Sequence, residues 1–291
     1  MMVAPKPKET WNPPPPVSEP MSVGTVAEIG RRPGKFTPPR IVINAVPGWG
    51  KTTIAAHTPS PSILMTAGET GYDDLLGAGR VPDVDAAVVD TWPNFLATLD
   101  HIRDANEIPY KTLCIDAIDG AERMMHEEVC RRDYEGDWGE KGFTSFQRGY
   151  DTSINDWLGM LSRLEKIQAR GVMILMLCHS QIKPFKNPLG EDFDRYVTAL
   201  HHKTWAQTHK WAGAVLFGKY RTIPVKEKAK TRAKGGGGEV RVIYTEERDA
   251  FDAKNRYGMP FEIEIPNDPT AAWSTIWKHI YPPAKDKTKE N

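Results

Sequence analysis

Residues 45–52 have the types and the spacing of a phosphate-binding loop. They read AVPGWGKT, which is the pattern A-x-x-x-x-G-K-T, and they follow an apolar strand and open a helix, as the pattern requires. Gly48 and Gly50 let the backbone approach a ligand without Cβ clashes, so that several N–H groups can converge on one anion. The N-terminus of the following helix adds partial positive charge. This segment, the phosphate loop, therefore predicts binding of a nucleotide's phosphate chain.

Each polar side chain at the end of the phosphate loop has an expected partner on the nucleotide. Lys51 would reach the β- and γ-phosphates, Thr52 would hold Mg²⁺, and Thr53 would lie near the α-phosphate. The residues expected to bind ATP and Mg²⁺ here are Pro47, Gly48, Trp49, Gly50, Lys51, Thr52 and Thr53. The first glycine usual in the pattern is replaced by Ala45, so the loop must begin without a positive φ.

Two acidic residues follow predicted strands at points where a carboxylate would face the bound phosphates. Asp116 ends the apolar run TLCID, and a carboxylate at the carboxyl end of a central strand can hold magnesium. The alternative is that Asp116 caps the next helix, a role that we favour for Asp119. Glu69 follows the strand after the phosphate-loop helix and is the candidate base that orients water, the alternative being an exposed loop residue.

Polar side chains also end the apolar run GVMILMLCHS. One of His179, Ser180 and Gln181 is expected to contact the γ-phosphate and to transmit its presence to the loop that follows. Ser180 and Gln181 are therefore included in the predicted nucleotide site. The alternative for His179 is a partly buried histidine whose hydrogen bonds are satisfied within the protein.

The elements that must position these residues alternate between strand and helix. Strands are predicted at RIVINAV, PSILMTA, DAAVVDTW, KTLCIDAI and GVMILMLCHS, with helices at KTTIAAH, PNFLATLDHIRD, GAERMMHEEVCRR, 145–169 and 204–211. The long helix at 145–169 would place Trp157, Leu158, Leu161 and Leu164 on one stripe. The chain then turns to the β-runs GAVLFGKY, EVRVIYTE and FEIEI. This order predicts an α/β domain with a mostly parallel central sheet, helices on both faces and a C-terminal antiparallel extension.

The two ends of the chain differ in composition from its middle. Residues 1–38 are rich in Pro, Ser, Gly and charge, which predicts a disordered arm, and residues 282–291 form a second disordered tail. Residues 39–281 remain as one domain. Lys+Arg and Asp+Glu both number 38, so any surface for nucleic acid must be local.

The cysteines and the hydropathy indicate the compartment. Cys114, Cys130 and Cys178 lie far apart and lack metal-ligand spacing, which is typical of reduced, buried thiols in the cytoplasm. The sequence has no signal peptide and no apolar run long enough to span a membrane, so we expect no membrane contact.

A late motif, AKNRYGMP, connects these features to a known family. Taken alone, Lys254 and Arg256 would be a solvated strand end. The segment is similar to the Lys-Asn-Arg-Phe-Gly motif of bacterial RadA proteins and to the Lys-Asn-Lys of RecA. With the phosphate loop, the ordered carboxylates and the run HSQIKPF, residues 39–281 resemble the RecA-like ATPase core. The resemblance is greatest to the phage-encoded RecA-like ATP-binding proteins associated with single-strand annealing.

The resemblance implies an oligomeric ATPase of RecA-like P-loop fold, acting on single-stranded DNA in recombination or annealing as a ring or a filament. In such assemblies the late basic pair reaches across a subunit interface onto the neighbour's ATP, so Lys254 and Arg256 are expected to act in trans. The catalytic residues would then be Lys51, Glu69, Lys254 and Arg256. A phage-encoded protein would act in the host cytoplasm, and its proline-rich arm could bind a single-strand-binding or recombination protein.

Three segments are candidates for contact with DNA. The resemblance places two mobile loops at roughly residues 134–147 and 181–202, and the second carries Lys183 and Lys186, although both loops also carry acids. The strongest basic cluster lies in a predicted β-hairpin and comprises Lys226, Lys228, Lys230, Arg232 and Lys234. The alternative for this cluster is a solvated surface.

Two other functions remain open on the sequence. In the first, the protein is a nucleotide-gated DNA-binding module in which ATP drives assembly with little turnover, which the substitution at Ala45 would suit. In the second, it is a small-molecule kinase on a P-loop fold. Such a kinase would need an Arg-rich lid over the phosphates, whereas the candidate lid segments here are mixed or rich in lysine.

Overall fold

The computed structural model describes residues 36–280 except for residues 189, 222, 226–233 and 237–239. The predicted arm at residues 1–38 and the predicted tail at residues 282–291 therefore lie almost wholly outside the described residues. Thr37 opens a compact unit that contains all the strands and helices described below.

The strands of the described residues form a ten-stranded sheet and a separate two-stranded one. In chain order they are β1 (Arg40–Ala45), β2 (Pro61–Thr66), β3 (Asp85–Val89), β4 (Thr112–Asp116), β5 (Met173–Phe185), β6 (Phe193–Thr198), β7 (Ala214–Tyr220), β8 (Ile223–Val225), β9 (Lys234–Gly236), β10 (Arg241–Tyr244), β11 (Lys254–Asn255) and β12 (Glu262–Ile265). The large sheet has the order β12-β10-β7-β1-β5-β4-β2-β3, with β11 beside β7 and β6 beside β5.

Seven helices and one 3-10 turn accompany the sheet in the described part of the chain. They are α1 (Lys51–Ala56), α2 (Gly71–Gly77), α3 (Trp92–Asp104), α4 (Ile118–Asp133), the turn Ser145–Gln147, α5 (Arg148–Ala169), α6 (His202–Trp211) and α7 (Pro269–Ile280). Of these, α2 and α7 were not predicted from the sequence.

The predicted fold class is confirmed. Strands β7, β1, β5, β4, β2 and β3 are parallel, and β10, β11 and β12 form an antiparallel extension. In register, Ala45 of β1 lies beside His179 of β5 and Gly218 of β7. The carboxyl ends of these strands therefore meet at one edge of the sheet, where ligands bind in open α/β folds.

Helices cover both faces of the central strands, which explains why those strands are mostly apolar, whereas β3 at the edge is exposed except at Val89. Alternate residues of β1 divide between the two layers. Ile41 and Ile43 pack with Ile54 of α1 and Trp273 of α7, whereas Val42 belongs to the layer formed with α3, α4 and α5. Fully burying one such side chain contributes about 1.5–3 kcal/mol to folding.

The long helix differs from its prediction at its start and on its apolar stripe. It begins at Arg148 because Phe146 and Gln147 have positive φ angles of 48° and 63°, which no α-helix accommodates. Trp157 is buried as predicted, but Leu158 is 43% exposed and lies off the stripe.

The segment predicted as a second mobile loop is largely a β-hairpin. Strand β5 continues past Ser180 to Phe185 and pairs antiparallel with β6, with Ile182 opposite Tyr196 and Phe185 opposite Phe193. The prediction of a loop at residues 181–202 is therefore wrong for half of that range, residues 181–185 and 193–198, which are in strands. The strand pairing was not predicted because the segment is rich in polar and charged residues and lacks an apolar strand pattern.

A hairpin is also present where the basic cluster was predicted, because β8 and β9 pair antiparallel. The side chains of Lys226, Lys228, Lys230, Arg232 and Lys234 lie outside what the structure describes.

The described residues also bear on two sequence predictions, the absence of a membrane-spanning segment and the burial of the cysteines. None of their helices has the length and apolar character needed to cross a membrane. Cys114, Cys130 and Cys178 are buried free thiols, as predicted.

Candidate functional site

The phosphate loop connects β1 to α1 at the carboxyl edge of the sheet. Gly48 and Gly50 have φ angles of 73° and 102°, which an L side chain rarely adopts. Ala45 is the last residue of β1, where the backbone is extended, so the loop begins without needing glycine at that position. The departure from the usual pattern at Ala45 is thus compatible with the geometry of the loop.

The loop lines a cavity of about 640 Å³, which is within the size range of small-molecule sites. Its walls are formed by Pro47, Gly48, Trp49, Gly50, Lys51, Thr52, Thr53, Glu69, Gly71, Leu75, Arg80, Asp116, His179, Tyr220, Arg241, Asn267 and Pro269. The structure therefore brings all the predicted loop residues together with Glu69, Asp116 and His179.

Thr52 and Asp116 form the most direct contact inside the cavity. The Thr52 hydroxyl donates a hydrogen bond of 2.6 Å to the Asp116 carboxylate, although 64 positions separate them in sequence. Burial raises the pKa of Asp116, while the bond from Thr52 and the charge of Lys51 oppose that rise. Helix α4 has Ala117 as its N-cap, with no side-chain hydrogen bond, so Asp116 is free of the capping role considered from the sequence.

Lys51 is held at the base of the phosphate loop. Its amino group donates to the backbone carbonyl of Ala45 at 3.1 Å. Burial lowers its pKa, and the nearby carboxylates of Asp116, Asp119 and Glu69 act in the opposite direction. The ammonium is therefore a partly desolvated cation facing several carboxylates, a setting that a bound phosphate would alter strongly.

Glu69 lies between β2 and α2 and is half-buried rather than fully exposed. Its backbone N–H donates to Thr66 at 3.0 Å, which fixes the turn that carries it. Burial raises the pKa of its carboxyl group, and the neighbouring His179 lowers it. This environment favours a carboxylate that accepts a proton more readily than one in water.

His179 is paired with Asp119, which sequence reasoning had assigned to a helix cap. The ring Nδ1 lies 2.9 Å from one Asp119 oxygen, and the backbone N–H of His179 donates to the other at 3.1 Å. The bond to Asp119 raises the pKa of His179 despite its burial. Burial alone would raise the pKa of Asp119, but the bonds from His179 lower it overall.

Glu69, Asp119 and His179 also form a group with metal-ligand chemistry. Each offers one ligand atom, and these atoms lie within 4.8 Å of one another. The pairing of His179 with Asp119 already satisfies part of this group. The spacing D-x-x-D of Asp116 and Asp119 was the sequence signal that could have associated Asp119 with the cavity.

Ser180 and Gln181 do not line the cavity. The Gln181 side-chain amide donates to the backbone carbonyl of Thr198 at 2.9 Å, across the hairpin of β5 and β6. The Ser180 hydroxyl is buried and, within the described ranges, has no hydrogen-bond partner. Of the three residues considered as phosphate contacts, only His179 reaches the cavity.

Lys254 and Arg256 lie at the opposite end of β7 from the phosphate loop. Strand β11 pairs with the start of β7, with Asn255 opposite Ala214. The Lys254 amino group donates to the carbonyl of His209 at 2.5 Å, and the Arg256 guanidinium donates to that of Lys210 at 3.3 Å. Neither side chain lines the cavity of its own chain.

The candidate DNA-facing segments are only partly exposed. Lys183 and Lys186 are exposed on and just after the outer end of β5. In the first loop, Phe146 is 94% exposed, whereas Phe143 is fully buried among other aromatic rings. Of these two aromatics, therefore, only Phe146 presents its ring to solvent.

Comparison with known families places most of the described chain in a single match. A family model described as an AAA domain matches residues 37–257, which begin before β1 and end after β11. The matched range includes every residue predicted for the nucleotide site. No curated protein matches the chain.

Proposed function

The chain belongs to the AAA domain family, and on that premise we propose that it hydrolyses ATP with Mg²⁺ as an oligomer acting on single-stranded DNA. The observation that carries the ATPase part of this proposal is the 2.6 Å hydrogen bond between Thr52 and Asp116, beside the buried Lys51. A hydroxyl, a carboxylate and an ammonium at the end of a glycine-containing loop are the groups that phosphoryl transfer requires.

The donor set formed by Thr52 and Asp116 fits a magnesium ion. Both residues offer oxygen ligands, which Mg²⁺ prefers. The other coordination positions of the ion would be filled by water and phosphate oxygens. When bound, the ion would neutralise charge on the β- and γ-phosphates. Thr52 and Asp116 would have to exchange their mutual hydrogen bond for contacts to the ion or its waters.

Groups of the protein itself carry out the remaining steps, which are phosphate binding, charge stabilisation and activation of water. Lys51 stabilises charge on the phosphate oxygens, and the backbone N–H groups of the phosphate loop hold the phosphates in place. Glu69 orients a water and accepts its proton, a role favoured by the raised pKa of its carboxyl group. The hydrogen bond between Nδ1 and Asp119 raises the pKa of His179, and in its protonated form the ring donates from Nε2 toward the γ-phosphate.

The position of Lys254 and Arg256 supports assembly. Both lie at the amino end of β7, away from the cavity of their own chain. A cation that stabilises the γ-phosphoryl charge from this end of the molecule must belong to a neighbouring subunit. In this proposal turnover therefore depends on oligomer formation.

The support for single-stranded DNA comes from the resemblance and from a few exposed side chains. Phe146 could stack on a base, while Lys183 and Lys186 could contact phosphates. The same segments also carry acidic residues, which repel DNA phosphates. Stimulation by DNA is accordingly the part of the proposal to test first.

The test is ATP hydrolysis by the purified protein, with and without single-stranded DNA, beside a Lys51→Ala control. Turnover that rises with DNA and vanishes in the control supports the proposal. ATP binding without stimulation rejects a DNA-dependent ATPase and favours the nucleotide-gated binding module. If neither ATP binding nor hydrolysis is detected for the wild-type protein, the nucleotide site itself has been misassigned.

A further inference from the structure

Arg241 and Tyr220 contact the phosphate loop from the antiparallel side of the sheet. Arg241, the first residue of β10, donates from Nη1 to the carbonyl of Trp49 at 3.2 Å and from Nη2 to the carbonyl of Pro266. Tyr220, the last residue of β7, donates from its hydroxyl to the carbonyl of Gly48 at 3.0 Å. Neither residue belongs to the sequence pattern that defines such loops.

Trp49 anchors the same loop from within. Its side chain is fully buried, and its indole N–H donates to the carbonyl of Lys219 at 3.2 Å. The ring packs so closely on β7 that a Cβ at Gly218 would lie 2.8 Å from it. Arg241 lies 5.9 Å from the centroid of the Trp49 ring, within the range of a cation–π contact.

These contacts fix the direction in which the loop's peptide groups point. The peptide between Trp49 and Gly50 is trans, so its N–H points opposite to the carbonyl that Arg241 holds. The Gly50 N–H is thereby directed away from Arg241, where it can donate to an anion bound by the loop. Loss of the Arg241 contact would free this peptide to rotate.

The charge of Arg241 lacks a counterion within the described part of the chain. No carboxylate there forms an ion pair with it, and its Nε is buried without a hydrogen-bond partner. By contrast, Arg221 on the same edge of the sheet pairs with Glu262 and Glu264. Since a half-buried cation is costly without an opposite charge, the phosphate-binding cavity that Arg241 lines is the place to expect that charge.

We propose that Arg241 is a positioning residue that holds the phosphate loop in its anion-binding form, that Tyr220 supports it, and that the nucleotide's phosphate chain balances its charge. This inference rests on the proposed nucleotide-binding function and adds a support that the loop pattern does not contain. A merely structural Arg241 would join β10 to the loop without affecting the affinity for nucleotide.

The experiment measures ATP affinity, KM, kcat and melting temperature for the wild-type protein and four variants. Arg241→Ala is expected to weaken ATP binding and raise KM by about tenfold, the effect of losing one charge-assisted hydrogen bond, with a smaller change in kcat. Arg241→Lys keeps the charge but not the two-carbonyl geometry, so it is expected to restore part of the affinity. Tyr220→Phe is expected to weaken ATP binding about threefold through loss of a neutral hydrogen bond.

Arg221→Ala is the matched control, because it removes an arginine from the same sheet edge that contacts acids instead of the loop. It is expected to lower the melting temperature without changing ATP affinity. An Arg241→Ala protein that melts earlier but binds ATP as tightly as the wild type overturns the inference. If Arg241→Ala does not fold, wild-type affinity in both Arg241→Lys and Tyr220→Phe overturns it.

The proposed function fails separately from this inference. Absence of ATP binding by the wild-type protein rejects the nucleotide site as a whole, and Arg241 with it. Binding that Lys51→Ala abolishes and Arg241→Ala leaves intact rejects only the role of Arg241.

Discussion

Glu69 and Asp116 line the same cavity, but their neighbours give them different tasks. Asp116 is 4% exposed and already accepts a hydrogen bond from Thr52, so it suits a fixed ligand. Glu69 is more open, and burial raises the pKa of its carboxyl group while His179 moderates the rise. A carboxylate with a raised pKa and access to water is the better base of the two.

Glu69→Gln is expected to lower kcat for ATP at least 100-fold, because the amide cannot accept the proton of the attacking water. ATP affinity should change no more than about threefold, since the amide retains most of the hydrogen-bonding capacity of the carboxylate. Steady-state hydrolysis and equilibrium ATP binding separate the two effects. Glu107→Gln, at an exposed position outside the cavity, is the control. Wild-type turnover in Glu69→Gln would mean that another group is the base.

The residues of the cavity differ in how far sequence could reveal them. Lys51 and Thr52 are predicted by a local pattern whose physical reason lies within eight residues. His179 and Asp119 are 60 positions apart in the sequence, and no local sequence pattern predicts that they pair. Arg241 likewise occurs in an ordinary strand sequence, so only the assembled sheet reveals its contact with the loop.

At the scale of elements, helix α4 links the nucleotide cavity to neighbouring segments. Asp119 holds His179 on β5, and one turn further on Glu122 accepts hydrogen bonds from the backbone of His201 and the hydroxyl of Thr204 at the start of α6. Burial raises the pKa of Glu122 to about 7, against these hydrogen bonds. The position of α4 therefore affects both the cavity and the end of the β5–β6 hairpin.

Close packing of α4 on β2 makes Gly120 sensitive to substitution. A Cβ there would lie 2.1 Å from the Thr66 hydroxyl, which itself bonds the backbone of Ala117. Gly120→Ala is expected to lower the free energy of unfolding by about 1–3 kcal/mol, through overpacking. Because the helix must shift, ATP turnover should fall as well.

The matched control for this change is Gly77→Ala at the end of α2, where an added Cβ meets nothing within 4 Å. It is expected to be neutral or to stabilise by up to about 1 kcal/mol, as alanine favours helix. Urea unfolding of the three proteins checks both expectations. Equal stabilities would show that α4 and β2 can separate at no cost.

The elements themselves were predictable where periodicity was strong. Apolar strands buried on both faces, such as β1 and β4, are recognisable from sequence alone. The hairpin of β5 and β6 was missed because its outer half is polar and its stability depends on cross-strand partners such as Phe185 and Phe193. Helix α2 was missed because it is short and only Tyr72 on it is buried.

The large sheet holds the phosphate-binding cavity and the late basic pair, Lys254 and Arg256, at opposite ends of its parallel strands. The cavity lies at the carboxyl ends of the parallel strands, while Lys254 and Arg256 lie at the amino end of β7. One copy cannot bring these two ends together without unfolding β7. A head-to-tail assembly can, because it juxtaposes opposite ends of successive copies at every interface.

Mixing two inactive variants tests this arrangement directly. Lys51→Ala removes the working cavity but keeps the late basic pair, whereas the double variant Lys254→Ala, Arg256→Ala keeps the cavity but lacks the pair. In an equimolar head-to-tail mixture about a quarter of the interfaces would combine an intact cavity with an intact pair, so about a quarter of the wild-type turnover is expected to return.

The control for this experiment is Lys278→Ala, at an exposed position on α7, which should behave as wild type. Co-assembly verified by native mass spectrometry with no recovery of turnover would contradict action in trans. Full activity of the double variant alone would show that hydrolysis does not need these cations.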